Sequence, residues 1–361
     1  EGSESVGNIR NGAGASYDNK ADITAKQGIS LQAVGSILNV GDNLVTDVGD
    51  ITVQTQGSIA NIGDYSLAKD GNIKVTAGQE VINNGEYRIN GNGSINVKAI
   101  GVVTETEGEK TAAGGDIINF GNYYTKSGNI TMTSHDDVLN YGVMEAVTGD
   151  ISIISTDGVI FNESGADLLS GNGNVTLRAE STNGYYYYFD AQGVLHELTD
   201  ASALKLNDYG EYVVQINDNT YYPALKNGSV FNAGDIMAMG GTITLEAVKG
   251  NLTNYDDFNT LSTDNPNSFA NTYKGKAIAT GNIDFKAVNG HLYNDKDLES
   301  GENISLTAAE GLTNFAYNVY AGKNITLTAT TGDVVNTAVL ESVYGDVTLK
   351  AEHGNVVNGI E

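Results

Sequence analysis

Residues 128–142 read GNITMTSHDDVLNYG, and the fold can be read outward from them. Ile130, Met132 and Ser134 alternate with Thr131 and Thr133, the period of two that gives a strand one buried face. A polar turn, His135-Asp136-Asp137, follows, and then a second short apolar run that ends in asparagine, Val138-Leu139-Asn140. Both halves recur. The leading apolar residue stands at Ile29, Ile51, Ile73, Ile95, Ile130, Ile151, Val175, Ile243, Ile283, Ile304, Ile325 and Val347, and where no insertion intervenes the spacing is 21 to 24 residues. Two positions on sits a second large apolar residue (Leu31, Val53, Val75, Val97 and so on), and two further on a small one, most often alanine.

The second half recurs as apolar-x-Asn, with asparagine at 39, 61, 83, 119, 140, 162, 232, 254, 294, 314, 336 and 358, and Asn11 as a candidate thirteenth. An asparagine at one register in every repeat has two physical uses. It tolerates the left-handed backbone of a tight turn, and, stacked on its equivalent in the next repeat, it passes side-chain amide hydrogen bonds along the stack. A coil of this length cannot enclose a core by itself, so its inward face is buried only by stacking neighbours about 4.8 Å apart. The expectation is an all-β chain folded as a right-handed parallel β-helix, a solenoid of about 12 coils of about 22 residues each, some 55 Å long. Leucine-rich repeats share the length but not the Ile-x-Leu-x-Ala strand, and a propeller needs a longer period.

Composition narrows the function. A formal net charge of −26 excludes an ordinary nucleic-acid binder, whose basic face must meet phosphates. The absence of cysteine removes disulfides and thiol catalysis. No run of eighteen apolar residues is present for a helical membrane span. The chain opens on Glu1 and closes on Glu361 inside a repeat, and is read as a piece of a longer protein.

The stretches 128–142 and KNITLTATTGDVVNTAVL (323–340) resemble the coils of filamentous-haemagglutinin-type exoproteins of the two-partner-secretion family. That resemblance covers nearly the whole chain outside its insertions. It implies export through an outer-membrane transporter and display at a bacterial cell surface as part of a rod or fibre. Adhesion to a surface glycan or protein of a host or neighbouring cell, or toxin delivery, is the task it implies. The family's N-terminal secretion domain has no counterpart here, since Asn265-Pro266-Asn267 lies in an insertion.

On this reading residues 1–361 are one rod segment, interrupted three times. Insertions at 100–115 and 255–280 read as loops. The insertion at 181–228 is rich in tyrosine, and its turn signals at Ala191-Gln192-Gly193 and Asn217-Asp218-Asn219 imply β-hairpins. Tyr185, Tyr186, Tyr187, Tyr188, Tyr221 and Tyr222 are the candidate binding residues, because rigid amphipathic rings on a scaffolded insertion make contact surfaces. The competing reading makes them the module's own small core.

Catalysis was weighed against this, since parallel β-helices also host polysaccharide lyases and hydrolases. His135-Asp136-Asp137 has the paired carboxylates of a glycosidase, yet it occupies a repeat turn filled elsewhere by Gly332-Asp333 or His353-Gly354-Asn355. Asp256-Asp257 has no neighbouring histidine. Arg10, Arg88 and Arg178 do not cluster with acids, and His135, His291 and His353 fall at repeat turns, where solvation is the default. No catalytic residue, no cofactor and no metal site is expected. Recurrent Gly-Asp turns attract calcium at most nonspecifically, for the calcium-binding nonapeptide is missing. A stalk for a distant toxin domain and a subunit that associates head to tail are the remaining alternatives.

Overall fold

The computed structural model describes residues 7–11, 22–40, 43–67, 69–106, 109–181, 186–189, 195–198, 201–206, 212–217, 220–255 and 275–359. They form a parallel β-solenoid of about 12 coils. Among the described residues one 3-10 turn, Ala201–Ala203, is the helical content, and no helix is long and apolar enough to cross a membrane. Two compact units are distinguished, 1–156 with 165–176 and 237–241, and 157–164 with 177–236 and 242–361.

In each unit every coil contributes three short strands. The Ile-x-Leu-x-Ala strand stacks in perfect register. Ile29, Ile51, Ile73, Ile95, Ile130 and Ile151 are successive partners in the first unit, and Ile243, Ile283, Ile304, Ile325 and Val347 in the second. A one-residue slip would turn every one of these side chains outward, which is why the register is so strongly specified. The apolar-x-Asn strand stacks asparagine on asparagine, and it includes Asn11 opposite Asn39.

The third strand escaped the two-motif reading. It follows the asparagine turn and places Leu44, Tyr65, Tyr87, Tyr123, Met144 and Leu168 in one inward column of the first unit. The three tyrosines are buried. Their rings stack face to face with centroids 4.5 and 4.8 Å apart and planes 3° from parallel. That spacing is the distance between neighbouring strands, so the backbone sets it and the rings follow.

The insertions differ from one another. The first, read as a loop, is an antiparallel hairpin, Val102–Thr106 against Glu109–Ala113. Its β-branched run, Val102-Val103-Thr104, favours that outcome over an irregular loop. The hairpin is rooted at Gly101 and Gly115, both with left-handed backbone (φ +79° and +101°), and a Cβ on Gly115 would lie 2.7 Å from the Gly101 nitrogen. The third insertion is shorter than its sequence boundaries suggested. Lys276–Ala279 is a solenoid strand paired with Asp297–Ser300, and residues 256–274, with Asp256, Asp257 and Pro266, lie outside the described residues.

The second insertion forms the expected antiparallel strands, in two three-stranded sheets. Tyr186–Phe189 lies between Leu195–Glu197 and Leu225–Lys226, and Tyr212–Asn217 lies between Leu204–Leu206 and Thr220–Pro223.

Candidate functional site

Polar side chains gather in four places: the asparagine stack, the repeat turns, the tyrosine-rich insertion and an open groove at one corner of the first unit.

The asparagines pass amide hydrogen bonds in one direction. In the first unit Asn11, Asn39, Asn61, Asn83 and Asn119 each donate from Nδ2 to Oδ1 of the next asparagine, the last acceptor being Asn140, over 2.7 to 2.9 Å. In the second unit the same chain runs from Asn162 through Asn232, Asn254, Asn294, Asn314 and Asn336 to Asn358. The second amide proton is also used. Asn83, Asn119, Asn140 and Asn232 give it to the carbonyl two residues on, at Gly85, Gly121, Gly142 and Gly234. From Asn39 to Asn336 these asparagines are buried. A buried amide network is worth having only when every member is satisfied, and here the repeat guarantees it.

Gly-Asp and Gly-Asn turns prove to hold a second series of contacts between coils. The Oδ1 of Asp50 accepts the backbone N–H of Asn72, Asn72 accepts from Ser94, Asn129 from Asp150, and Asp150 from Asn174. Asn282, Asn303 and Asn324 do the same toward Asn303, Asn324 and Asp346 in the second unit. These side chains answer backbone donors that face one another along the stack, and so their oxygens are spent on the fold.

Asp116, Asp136 and Asp137 form the one cluster of three metal-ligating side chains among the described residues, with ligand atoms within 4.8 Å of one another. Asp116 and Asp137 occupy equivalent turns of neighbouring coils, and the backbone N–H of Asp137 donates to Asp116 Oδ1 at 3.0 Å. Burial pushes the Asp116 carboxyl above the usual carboxylate range. The Asp137 N–H opposes that rise, Glu80 adds to it, and His135 opposes it. The Asp136 carbonyl accepts from Ser134 and Ser155 Oγ, both at 2.7 Å. Three oxygens so placed suit a hard cation in kind, though such an ion wants six or more. As a glycosidase pair they are poorly disposed, because Asp137 is only 7% exposed and faces Asp116.

His291 departs from the solvated turn that its position suggested. It lies in the strand His291–Asn294, its Nε2 is 3.1 Å from Thr313 Oγ1, and burial pulls its pKa down to about 4. His135 and His353 do sit at turns. Sequence reasoning also missed Lys296, which stands where other coils carry Gly85 or Gly142. It is buried, and its ammonium donates to the carbonyls of Ala233 (2.7 Å) and Gly234 (2.9 Å), with Asp235 Oδ1 at 3.5 Å. The signal was a lysine at a glycine register.

Of the candidate tyrosines, the structure brings Tyr188 and Tyr222 together. Tyr188 stacks on His196 (centroids 5.1 Å) and on Tyr222 (5.8 Å), and each of these two tyrosines is partly exposed. Tyr186 is also partly exposed. Tyr185 and the side chains of Tyr187 and Tyr221 lie outside what is described. The stack is a mixed feature: one edge packs within the module and the other meets solvent.

The groove lies along the corner between the first two strands of successive coils in the first unit. It has a volume of about 910 Å³. Gln32, Gln54, Gln56 and Gln79 line it together with Val34, Ile100 and Val102.

No protein-family model matches the chain, and no curated protein and no solved structure matches it.

Proposed function

We propose that the chain is a non-catalytic structural segment of a large secreted or cell-surface adhesin or fibre of the filamentous-haemagglutinin type, whose surface features hold partners and transform none. The observation that carries this reading is the use to which the repeat's polar chemistry is put. Asparagine amides, turn carboxylates and turn amides are engaged by neighbouring coils, twice per coil, as a long self-supporting array requires. Stability in such an array is close to a sum of nearest-neighbour terms, so length is added without a new core. The excess of acid, 45 Asp and Glu against 19 Lys and Arg, favours solubility.

The alternative from another class, a polysaccharide-processing β-helix enzyme, needs acids and a base around one open cleft. Among the described residues the corner groove is lined by amides, hydroxyls and aliphatic side chains, and Asp116, Asp136 and Asp137 are not part of that lining. Antibodies raised against this segment test the proposed location. Labelling of intact source cells is expected, and labelling that requires lysis would overturn it.

A further inference from the structure

The corner groove is anomalous in its charge. Among the described residues sixteen line it and none of these is ionisable, where the chain's 18% charged content would place about three. It is anomalous in composition too. The chain has seven glutamines, and four of them, Gln32, Gln54, Gln56 and Gln79, stand here on three successive coils. Gln32 and Gln54 are direct partners in register, so their side chains emerge one strand spacing apart.

All four glutamines are exposed. Those of Gln32, Gln54 and Gln56 have no hydrogen-bond partner among the described residues, and Gln79 uses only its Oε1, which accepts from Ser58 Oγ at 3.2 Å. Each amide therefore presents donors and an acceptor a few ångströms apart. The apolar part is exposed as well, Val34 at 58%, Ile100 at 46% and Val102 at 37%.

Main-chain donors along the corner are already taken. Gly35 N–H donates to Gly7, Gly57 to Gly35, Gly78 to Thr55, Gln79 to Gly57 and Ile100 to Ala77. An extended peptide added by strand pairing finds no free edge here. What is on offer is a row of neutral amides interleaved with aliphatic carbons, inside a chain whose negative charge repels polyanions.

We propose that this groove binds an uncharged oligosaccharide chain. Vicinal hydroxyls, each both donor and acceptor, match the paired functions of the glutamine amides, and the C–H faces of the sugar rings lie on Val34, Ile100 and Val102. No aromatic platform is present in the lining, so affinity per groove is modest, a Kd on the order of 1 mM, of the kind that multiple copies on a surface convert to firm attachment. The proposal rests on the reading of this chain as a surface that holds its partners, and it names the ligand class for that surface.

Saturation-transfer NMR with the whole chain tests it, using neutral gluco-, galacto-, manno- and xylo-oligosaccharides, oligogalacturonate, and an unrelated extended peptide as probes. At least one neutral oligosaccharide is expected to bind, with affinity falling tenfold or more in the Gln54→Ala/Gln56→Ala double variant and unchanged in Tyr188→Ala/Tyr222→Ala. Both variants alter side chains that meet solvent, and an unchanged circular dichroism spectrum and melting temperature confirm folding. Binding that the glutamine variant leaves intact and the tyrosine variant abolishes would overturn the groove while sparing the adhesive function. Preference for oligogalacturonate or the peptide, or no binding to any neutral oligosaccharide, would overturn it also. Shortening of the sugar would instead contradict the non-catalytic reading.

Discussion

Two sets of tyrosines occupy this chain, and they do opposite things. Tyr65, Tyr87 and Tyr123 belong to the repeat: they are buried, parallel and spaced by the strands that carry them. Tyr188 and Tyr222 belong to the insertion, stack at a looser 5.8 Å and remain partly exposed. The eye is drawn to the second set, because four tyrosines in a row interrupt a regular pattern. The first set carries more of the fold. Register, and not residue type, separates a buried ring from a partly exposed one.

The largest effect should come from cutting the repeat set. Tyr87→Ala removes the middle ring of the buried stack and should cost about 3–5 kcal/mol in denaturant unfolding of the solenoid. The asparagine stack comes next. In Asn119→Ala, Asn83 Nδ2 keeps its bond to the Gly85 carbonyl but loses the one to Asn119, and Asn140 Oδ1 loses the Asn119 amide; the hydrogen bonds lost from the buried stack should cost about 2–4 kcal/mol in the same measurement. A conservative leucine there would not rescue it, since the loss lies in the amides.

Acid and alkali sharpen the contrast between interior and surface. His291 is held neutral in the fold at pKa about 4, below its unfolded value of 6.5. The unfolded chain therefore takes up the proton first, and stability falls as pH drops from 6.5 toward 4. Because the residue is only partly buried, the loss should be roughly 2 kcal/mol, less than the full conversion of the shift. His291→Gln should flatten that part of the pH–stability profile. At the other end, burial raises the pKa of Tyr65, Tyr87 and Tyr123 above the ordinary phenol value, most of all through desolvation. Their contribution is complete below pH 10 and is lost as pH rises above it. Alkaline melting curves of a Tyr65→Phe/Tyr87→Phe/Tyr123→Phe variant should show a weaker loss.

The smallest effects should separate the two sets most cleanly. Among the described residues the buried hydroxyls of Tyr65, Tyr87 and Tyr123 have no hydrogen-bond partner, so Tyr87→Phe should be neutral or stabilising by up to about 1 kcal/mol. Tyr188→Ala should leave the solenoid's unfolding within about 1 kcal/mol of the parent, and a larger loss would make that ring a core residue.

Much of this was legible in advance because the repeat writes the same instruction twelve times. The Ile-x-Leu-x-Ala strand and the asparagine stack could be aligned from spacing alone, Asn11 included. The third strand could not be aligned so easily, since its inward column changes from Leu44 to Tyr65 to Met144 and tolerates almost any large apolar residue. Lys296 and His291 were hidden for a different reason. Each has a meaning only through other coils, Ala233 and Gly234 two coils away for the lysine and Thr313 in the adjoining coil for the histidine. The glutamine groove was hidden likewise. Four residues spread over 48 positions meet only because a coil returns the chain to the same corner every 22 residues.

The central proposal for this solenoid is that it holds its partners and does not cut them. Product analysis after prolonged incubation of the protein with neutral and acidic polysaccharides tests that claim. No new reducing ends and no unsaturated sugars are expected at any pH. Depolymerisation that disappears in Asp136→Asn or Asp137→Asn would contradict it and make the acidic turn an active site.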